Sequence, residues 1–153
     1  MKQVIQKNTL SFSCSKKMLF LRTPVDIWKE LSEEFNFTCD MCASDEYYTI
    51  DNSALDKDWD GEVGYVHPLF DGKIGKFVEK AHNSKGTFVF LLPSSTHTRY
   101  FHKFFYKRDN VEIRFLEKPT KGFRFGKDDG TPDEPNSTGY IKPLMICIMK
   151  NEN

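Results

Sequence analysis

The segment at residues 65–70 holds the residue types in this sequence that are best suited to chemistry. It reads Tyr-Val-His-Pro-Leu-Phe and follows a polar start at residues 60–62. The apolar run between them predicts a strand over 62–66 that ends in a polar residue, a proline and an aromatic ring. Enzymes with α/β folds place functional groups at such strand ends. We therefore expect chemistry at this strand end, where the polar residue is His67, the proline is Pro68 and the aromatic residue is Phe70.

A second polar group follows the alternating segment at residues 35–39, which predicts a strand that ends at Asp40. Cys39 and Cys42 flank this carboxylate with the spacing of a metal-binding or redox pair. A zinc site needs two more ligands, and the other cysteines, Cys14 and Cys147, lie far off in sequence. We therefore predict no metal site and interpret the cysteines as free thiols.

Hydrophobic periodicity predicts the elements that position these candidates. An apolar face begins after Thr23, which we expect to be the N-cap, with Pro24 at the first helical position and the helix continuing to about Glu34. The further predictions are helices at 72–82 and 95–106, a strand at 87–92 buried on both faces, strands at 111–116, 122–125 and 143–149, and a loop at 127–142.

Strands that alternate with helices predict a three-layer α/β fold in a compact single domain. Because functional residues collect where strands end, we expect Asp40, His67-Pro68 and Pro93-Ser94 to lie along one rim. Residues before 22 show no clear period and are interpreted as an extended N-terminal arm.

The composition fits one domain with a real core, since the chain has 153 residues and 14% aromatic residues. No apolar run approaches about 18 residues, and no signal peptide is evident, so we expect an intracellular protein without a membrane span. Residues 26–62 carry 12 acids and 2 bases, whereas residues 99–127 carry 9 bases and 3 acids. This asymmetry indicates either an anionic partner or a solvated surface of mixed charge.

The ordered segments resemble the phage-type DNA adenine methyltransferases, the small Dam-like family. The resemblance runs from Arg22 to about Met149, and we assign the Dam-like domain to 22–150 and the arm to 1–21. No single segment is specific, but the ordered set is. The segments are R-T-P, E-F-N-F-T-C-D-M-C-A-S, A-L-D-K-D-W-D-G, H-P-L-F, I-G-K-F-V-E-K-A, L-L-P-S-S-T-H-T-R-Y-F-H and E-I-R-F-L.

This resemblance implies a Rossmann-like methyltransferase fold that uses S-adenosylmethionine to methylate the exocyclic amine of adenine in DNA. The family's catalytic motif is Asn or Asp, then Pro-Pro, then an aromatic residue. By position the motif falls on residues 67–70. Here His67 replaces the amide or carboxylate, and Leu69 replaces the second proline.

The chemistry of the reaction explains the motif. The amine of adenine is a poor nucleophile, so such an enzyme flips the base out and accepts both amine hydrogens. The carbonyl of Pro68 and the ring of Phe70 keep two parts of this arrangement. A neutral imidazole at His67 has one acceptor nitrogen, and a protonated one has none. Leu69 loosens the turn that aims the prolyl carbonyl.

The resemblance also assigns the binding residues. The cosubstrate is expected at Thr23, Pro24, Asp40, Cys42 and Ala43. Arg99 and His102 match family residues, whereas Lys73 and Lys76 are chosen for their charge. These four are the nucleic-acid-binding candidates, and a solvated surface explains them equally well. Lys103, Lys118, Lys121, Arg124 and Lys127 extend the basic surface. The family's occurrence in phages makes a viral or prophage origin an expectation.

The altered motif leaves a second function open. A chain that keeps the fold and has lost the activity would serve as a structural or partner-binding subunit or as a homo-oligomer. A zinc-stabilised binding module is a third class, which would need stoichiometric metal.

Overall fold

The computed structural model describes residues 21–42, 54–68, 72–117, 124–125 and 143–152. In chain order the elements are β1 (Leu21–Arg22), α1 (Val25–Phe35), β2 (Cys39–Asp40), a 3₁₀ turn (Ala54–Asp56), β3 (Glu62–Val66), α2 (Ile74–His82), β4 (Gly86–Pro93), a π-helical segment (Phe101–Phe105), β5 (Val111–Phe115), β6 (Arg124–Phe125) and β7 (Leu144–Asn151). No helix among these described residues is long and apolar enough to cross a membrane.

Five strands form a mixed sheet in the order β2-β3-β4-β7-β5. β2, β3 and β4 are parallel, and β7 runs antiparallel to both of its neighbours, β4 and β5. β5 therefore points the same way as β4, and β7 is the reversed strand. A separate short pair joins β1 to β6. The molecule is thus a small α/β domain with a mixed sheet.

Helices pack on the sheet through two groups of buried side chains. Phe88, Phe90 and Leu92 of β4 belong to the group that includes α2 and the π-helical segment. Val89 and Leu91 belong to the group that includes Leu31 of α1. Because both faces of β4 are covered, every position from 88 to 92 is apolar and fully buried.

Several predicted elements are confirmed. β3 has the predicted bounds, and β4 extends the predicted buried strand by one residue at each end. α2 buries the apolar positions that the period selected, which are Ile74, Phe77, Val78 and Ala81. These segments were predictable because their periodicity and their packing agree.

The predicted capping role of Thr23 is wrong. α1 begins at Val25, the N-cap position is Pro24, and no side chain caps the helix. The hydroxyl of Thr23 instead contacts Tyr65, which lies on β3. A tertiary hydrogen bond has thus replaced the local one.

The strand predicted at residues 35–39 is also shorter than expected. The helix continues through Phe35, and Asn36 ends it in the left-handed conformation with φ of 51°. The strand itself covers only Cys39–Asp40. Thr38 still reaches β3, because its N–H donates to the carbonyl of Val63 at 2.8 Å.

The helix predicted at residues 95–106 is shorter and wider than an α-helix. Residues 96–98 form a turn, and the segment from Phe101 is π-helical. Its last bond runs from the N–H of Tyr106 to the carbonyl of Phe101 at 2.8 Å, five residues back.

Two predictions lie outside the described residues, namely the loop at 127–142 and residues 1–20 of the arm. β6 confirms the end of the strand predicted at 122–125.

Candidate functional site

The carboxyl ends of the three parallel strands form one rim of the sheet, as predicted. Asp40 ends β2, His67 follows β3, and Ser94 follows β4. Asp40 and Tyr65 are register partners, and the N–H of Met41 donates to the carbonyl of Tyr65 at 2.8 Å. The structure therefore brings Asp40 to the strand end that carries His67.

His67 is half-buried, and its ring is oriented by β4. Nδ1 of His67 lies 3.2 Å from the carbonyl oxygen of Leu91. A carbonyl only accepts, so Nδ1 carries the proton in this bond and Nε2 is the acceptor in the neutral ring. This bond therefore favours the neutral tautomer that is protonated at Nδ1. Pro68, the next residue, is buried.

Asp40 is a buried carboxyl group at the end of β2. Its side chain is 8% exposed, and Oδ1 accepts the N–H of Cys42 at 3.1 Å. Burial raises the pKa of Asp40 to about 7, and the bond from Cys42 partly opposes this rise. No described cation contributes to the pKa of this group.

Cys42 links the turn after β2 to the end of β3. Burial and the neighbouring Asp40 raise the pKa of its thiol, whereas a bond from the backbone N–H of His67 lowers it. The group is therefore a neutral thiol, which disfavours a nucleophilic or metal-ligand role. Within the described part of the chain, no three potential ligands cluster to hold a metal ion.

Tyr65 lies beside the candidate residues Thr23 and Asp40, and the sequence did not indicate it. It is 1% exposed, and its hydroxyl lies 2.6 Å from that of Thr23. A tyrosine at a fully buried strand position needs a hydrogen-bond partner, which is the signal that could have drawn attention to it. Pro24 is buried beside Thr23 at the start of α1.

The rim also contains a hydroxyl with no partner. Oγ of Ser94 is buried and lacks a hydrogen-bond partner within the described residues. A buried polar atom of this kind is costly unless something satisfies it.

The basic candidates lie where two helical segments begin near the rim. Lys73 precedes α2, Lys76 is exposed on its first turn, and Arg99 is exposed just before the π-helical segment. Gly75 of α2 lies against Tyr100, so the two starts are adjacent. His102 is exposed one turn further on, with its ring 5.6 Å from that of Tyr106.

Several predicted residues cannot be placed. Ala43, Leu69, Phe70, Lys118, Lys121 and Lys127 lie outside the described residues. The side chain of Arg124 does too.

A separate cleft of about 390 Å³ lies at the opposite end of the strands from the rim, near the start of β4 and the end of β7. Two of its amides are bonded, since Asn151 donates to the carbonyls of Ala81 and Ser84 and accepts from Asn110. These bonds connect β7 to the end of α2, so we interpret the cleft as structural.

Comparison with known proteins gave one result. A family model described as DNA N-6-adenine-methyltransferase (Dam) matches residues 14–152. No curated protein and no solved structure matches the chain.

Proposed function

This chain belongs to the DNA N-6-adenine-methyltransferase (Dam) family, and from that premise we propose that it transfers a methyl group from S-adenosylmethionine to adenine in DNA, slowly, through an altered catalytic motif. The observation that carries the proposal is the adjacency of Asp40 and His67. The backbone bond from Met41 to Tyr65 and the Cys42–His67 contact hold these two residues at neighbouring strand ends. A methyl donor and its acceptor base need adjoining sites of this kind.

The sheet supports a Rossmann-like methyltransferase fold. Its strand order contains a single reversed strand, and buried groups cover both of its faces. In open sheets of parallel strands, ligands bind at the carboxyl ends. Asp40 and His67 occupy that position, which supports placing the reaction there.

The rim fits the cosubstrate. S-adenosylmethionine carries ribose hydroxyls and positive charge, and it supplies the methyl group when bound. Asp40 is a buried hydrogen-bond acceptor, and no described cation contributes to its pKa. This supports a role for Asp40 in binding the hydroxyl groups or the positive charge of the cosubstrate. The hydroxyl of Thr23 lies just before α1, and the N–H of Cys42 orients the carboxyl group of Asp40. Pro24 and Ala43 are proposed neighbours of the same pocket.

On the substrate side, Nε2 of His67 would accept one amine hydrogen and the carbonyl of Pro68 the other. Accepting both hydrogens draws the amine lone pair out of conjugation with the ring and makes the nitrogen nucleophilic. Phe70 would stack on the flipped base. The bond to Leu91 keeps the proton on Nδ1, so the acceptor nitrogen stays opposite to it.

The altered motif explains why transfer should be slow. An imidazole nitrogen differs from an amide oxygen in reach and direction, and Leu69 lacks the rigidity of a second proline. Small errors in the position of such groups cost large factors in rate. The same change is what favours the rival proposal of an inactive subunit that binds a partner.

The experiment restores the motif in the double variant His67→Asn, Leu69→Pro. We expect transfer of labelled methyl to adenine-containing DNA to increase at least about tenfold over the native chain. The control is His82→Asn, which makes the same exchange at an exposed position on α2 and should change nothing. A folded double variant that binds the cosubstrate and transfers no more than the native chain would contradict the proposal.

A further inference from the structure

Tyr65 contacts three segments of the proposed site: the residues before α1, the turn after β2 and the end of β3. Its carbonyl accepts the N–H of Met41, next to Asp40, at 2.8 Å. Its ring lies 6.3 Å from the ring of His67. Its hydroxyl lies 2.6 Å from the hydroxyl of Thr23, 42 residues earlier in the chain. Through its backbone and its side chain, this single residue thus joins the start of α1 to two strand ends.

The ring of Tyr65 is held in place by its neighbours. It packs edge-on against Trp28 of α1, with centroids 5.0 Å apart, and tilted against Phe37 at 5.4 Å. Because the side chain of Tyr65 is only 1% exposed, the surrounding residues leave no space for another rotamer. Packing therefore places the phenol oxygen of Tyr65 next to Thr23. Forming the hydrogen bond between them does not require the ordering of a mobile side chain.

The chemistry of the pair sets its direction. A phenol is the stronger donor and an aliphatic hydroxyl the better acceptor, so the favoured arrangement has Tyr65 donating to Thr23. The proton of Thr23 is then available for another acceptor. A phenylalanine in place of Tyr65 would fill the same space and leave Thr23 free to rotate.

We propose that Tyr65 is a positioning residue for the cosubstrate, which fixes the hydroxyl of Thr23 and the start of α1 above the strand ends. This inference rests on the proposed function. The inference goes beyond the proposed function because it assigns to a buried core residue a role in ligand affinity. A purely structural tyrosine would affect folding and leave affinity alone.

The test is a double-mutant cycle on the affinity for S-adenosylhomocysteine, measured by calorimetry. Tyr65→Phe should weaken binding by about tenfold, and Thr23→Val by a similar factor. The double variant should be no weaker than either single variant, because both remove one interaction. Thr23→Ser keeps the hydroxyl and should bind like the native chain. Tyr106→Phe makes the same exchange on an exposed tyrosine and should have no effect.

The outcomes separate the two proposals. Native-like affinity in a folded Tyr65→Phe variant, or losses that multiply in the double variant, would overturn the positioning role alone. Failure of the native chain to bind the ligand would overturn the proposed function and this inference with it. Thermal unfolding of each variant, measured alongside, shows whether a loss of affinity is only a loss of folded protein.

Discussion

Asp40 couples the site to the stability of the molecule. Its ordinary pKa of 3.8 is raised to about 7 in the folded chain, chiefly by burial. Between these two pH values the unfolded chain loses its proton while the folded chain keeps it. The contribution of Asp40 to stability is therefore complete below pH 3.8 and is lost as the pH rises through about 7.

We predict that Asp40→Asn removes this dependence. The variant should gain stability relative to the native chain as the pH rises from 4 to 8, by on the order of 3 kcal/mol. Urea unfolding of both proteins across this range measures the difference. A constant difference between the two proteins would show that Asp40 ionises freely in the folded chain.

The sequence indicated which residues lie at strand ends better than it indicated the hydrogen bonds that those residues make. Asp40 and His67 could be placed on a rim because strand ends are readable from periodicity. The bond from His67 to Leu91 and the pair formed by Thr23 and Tyr65 depend on tertiary packing. The sequence therefore predicted a cap where the structure has a cross-element bond.

Among the elements, β4 depends on a glycine at its first position. Gly86 has φ of 140°, and a Cβ there would clash with the carbonyl oxygen of Glu62 on β3. Both the backbone conformation and the space exclude a side chain. The close approach fixes the register between β3 and β4, on which the alignment of their carboxyl ends depends.

We predict that Gly86→Ala lowers the free energy of unfolding by more than about 2 kcal/mol. Gly61→Ala is the matched comparison, since Gly61 also has a positive φ, 82°, but has open space around it. It should cost only about 1 kcal/mol of conformational strain. Equal losses in the two variants, measured by chemical unfolding, would show that the approach to Glu62 is unimportant.

A second link between elements joins α1 to β5. Arg114 makes two bonds of 2.7 Å to Glu34 and lies 5.9 Å from the centre of the Phe35 ring. Because the side chains of Arg114 and Glu34 are 36% and 44% exposed, solvent weakens the pair, and we predict that Arg114→Lys costs no more than about 1 kcal/mol. A larger loss in thermal or urea unfolding would mean that this pair anchors α1 to the sheet.

Element prediction succeeded where one period dominates a segment. α2 and β4 have clear patterns, and their buried residues are the ones those patterns select. The sequence signals failed at the ends of elements. The left-handed Asn36 and the five-residue spacing from Phe101 to Tyr106 are set by local geometry that no hydrophobic pattern specifies.

For the molecule as a whole, the uneven charge is the feature that bears on a nucleic-acid substrate. The cationic candidates Lys73, Lys76 and Arg99 lie near the rim of the proposed site. Phosphate contacts make affinity fall with salt, and each lost contact reduces the slope of log affinity against log salt by about 0.9.

We predict that replacing Lys73, Lys76 and Arg99 together with alanine weakens DNA binding and flattens its salt dependence by about 2 to 3 units of slope. Replacing Lys29, Lys57 and Lys85, which are exposed elsewhere, removes the same charge and should have less effect. DNA affinity and its salt dependence are measured by fluorescence anisotropy. Equal effects of the two sets would show that the lysines and the arginine near the rim act only through the net charge of the protein.

The family assignment and the position of Asp40 beside His67 lead to one central claim, that the rim between these two residues holds the cosubstrate. Titration of the native chain with S-adenosylmethionine, followed by calorimetry, tests this claim most directly. We predict one site with a dissociation constant of about 1–100 μM, weakened at least about tenfold in Asp40→Asn. The absence of binding in a folded native chain, or unchanged affinity in Asp40→Asn, would contradict the account.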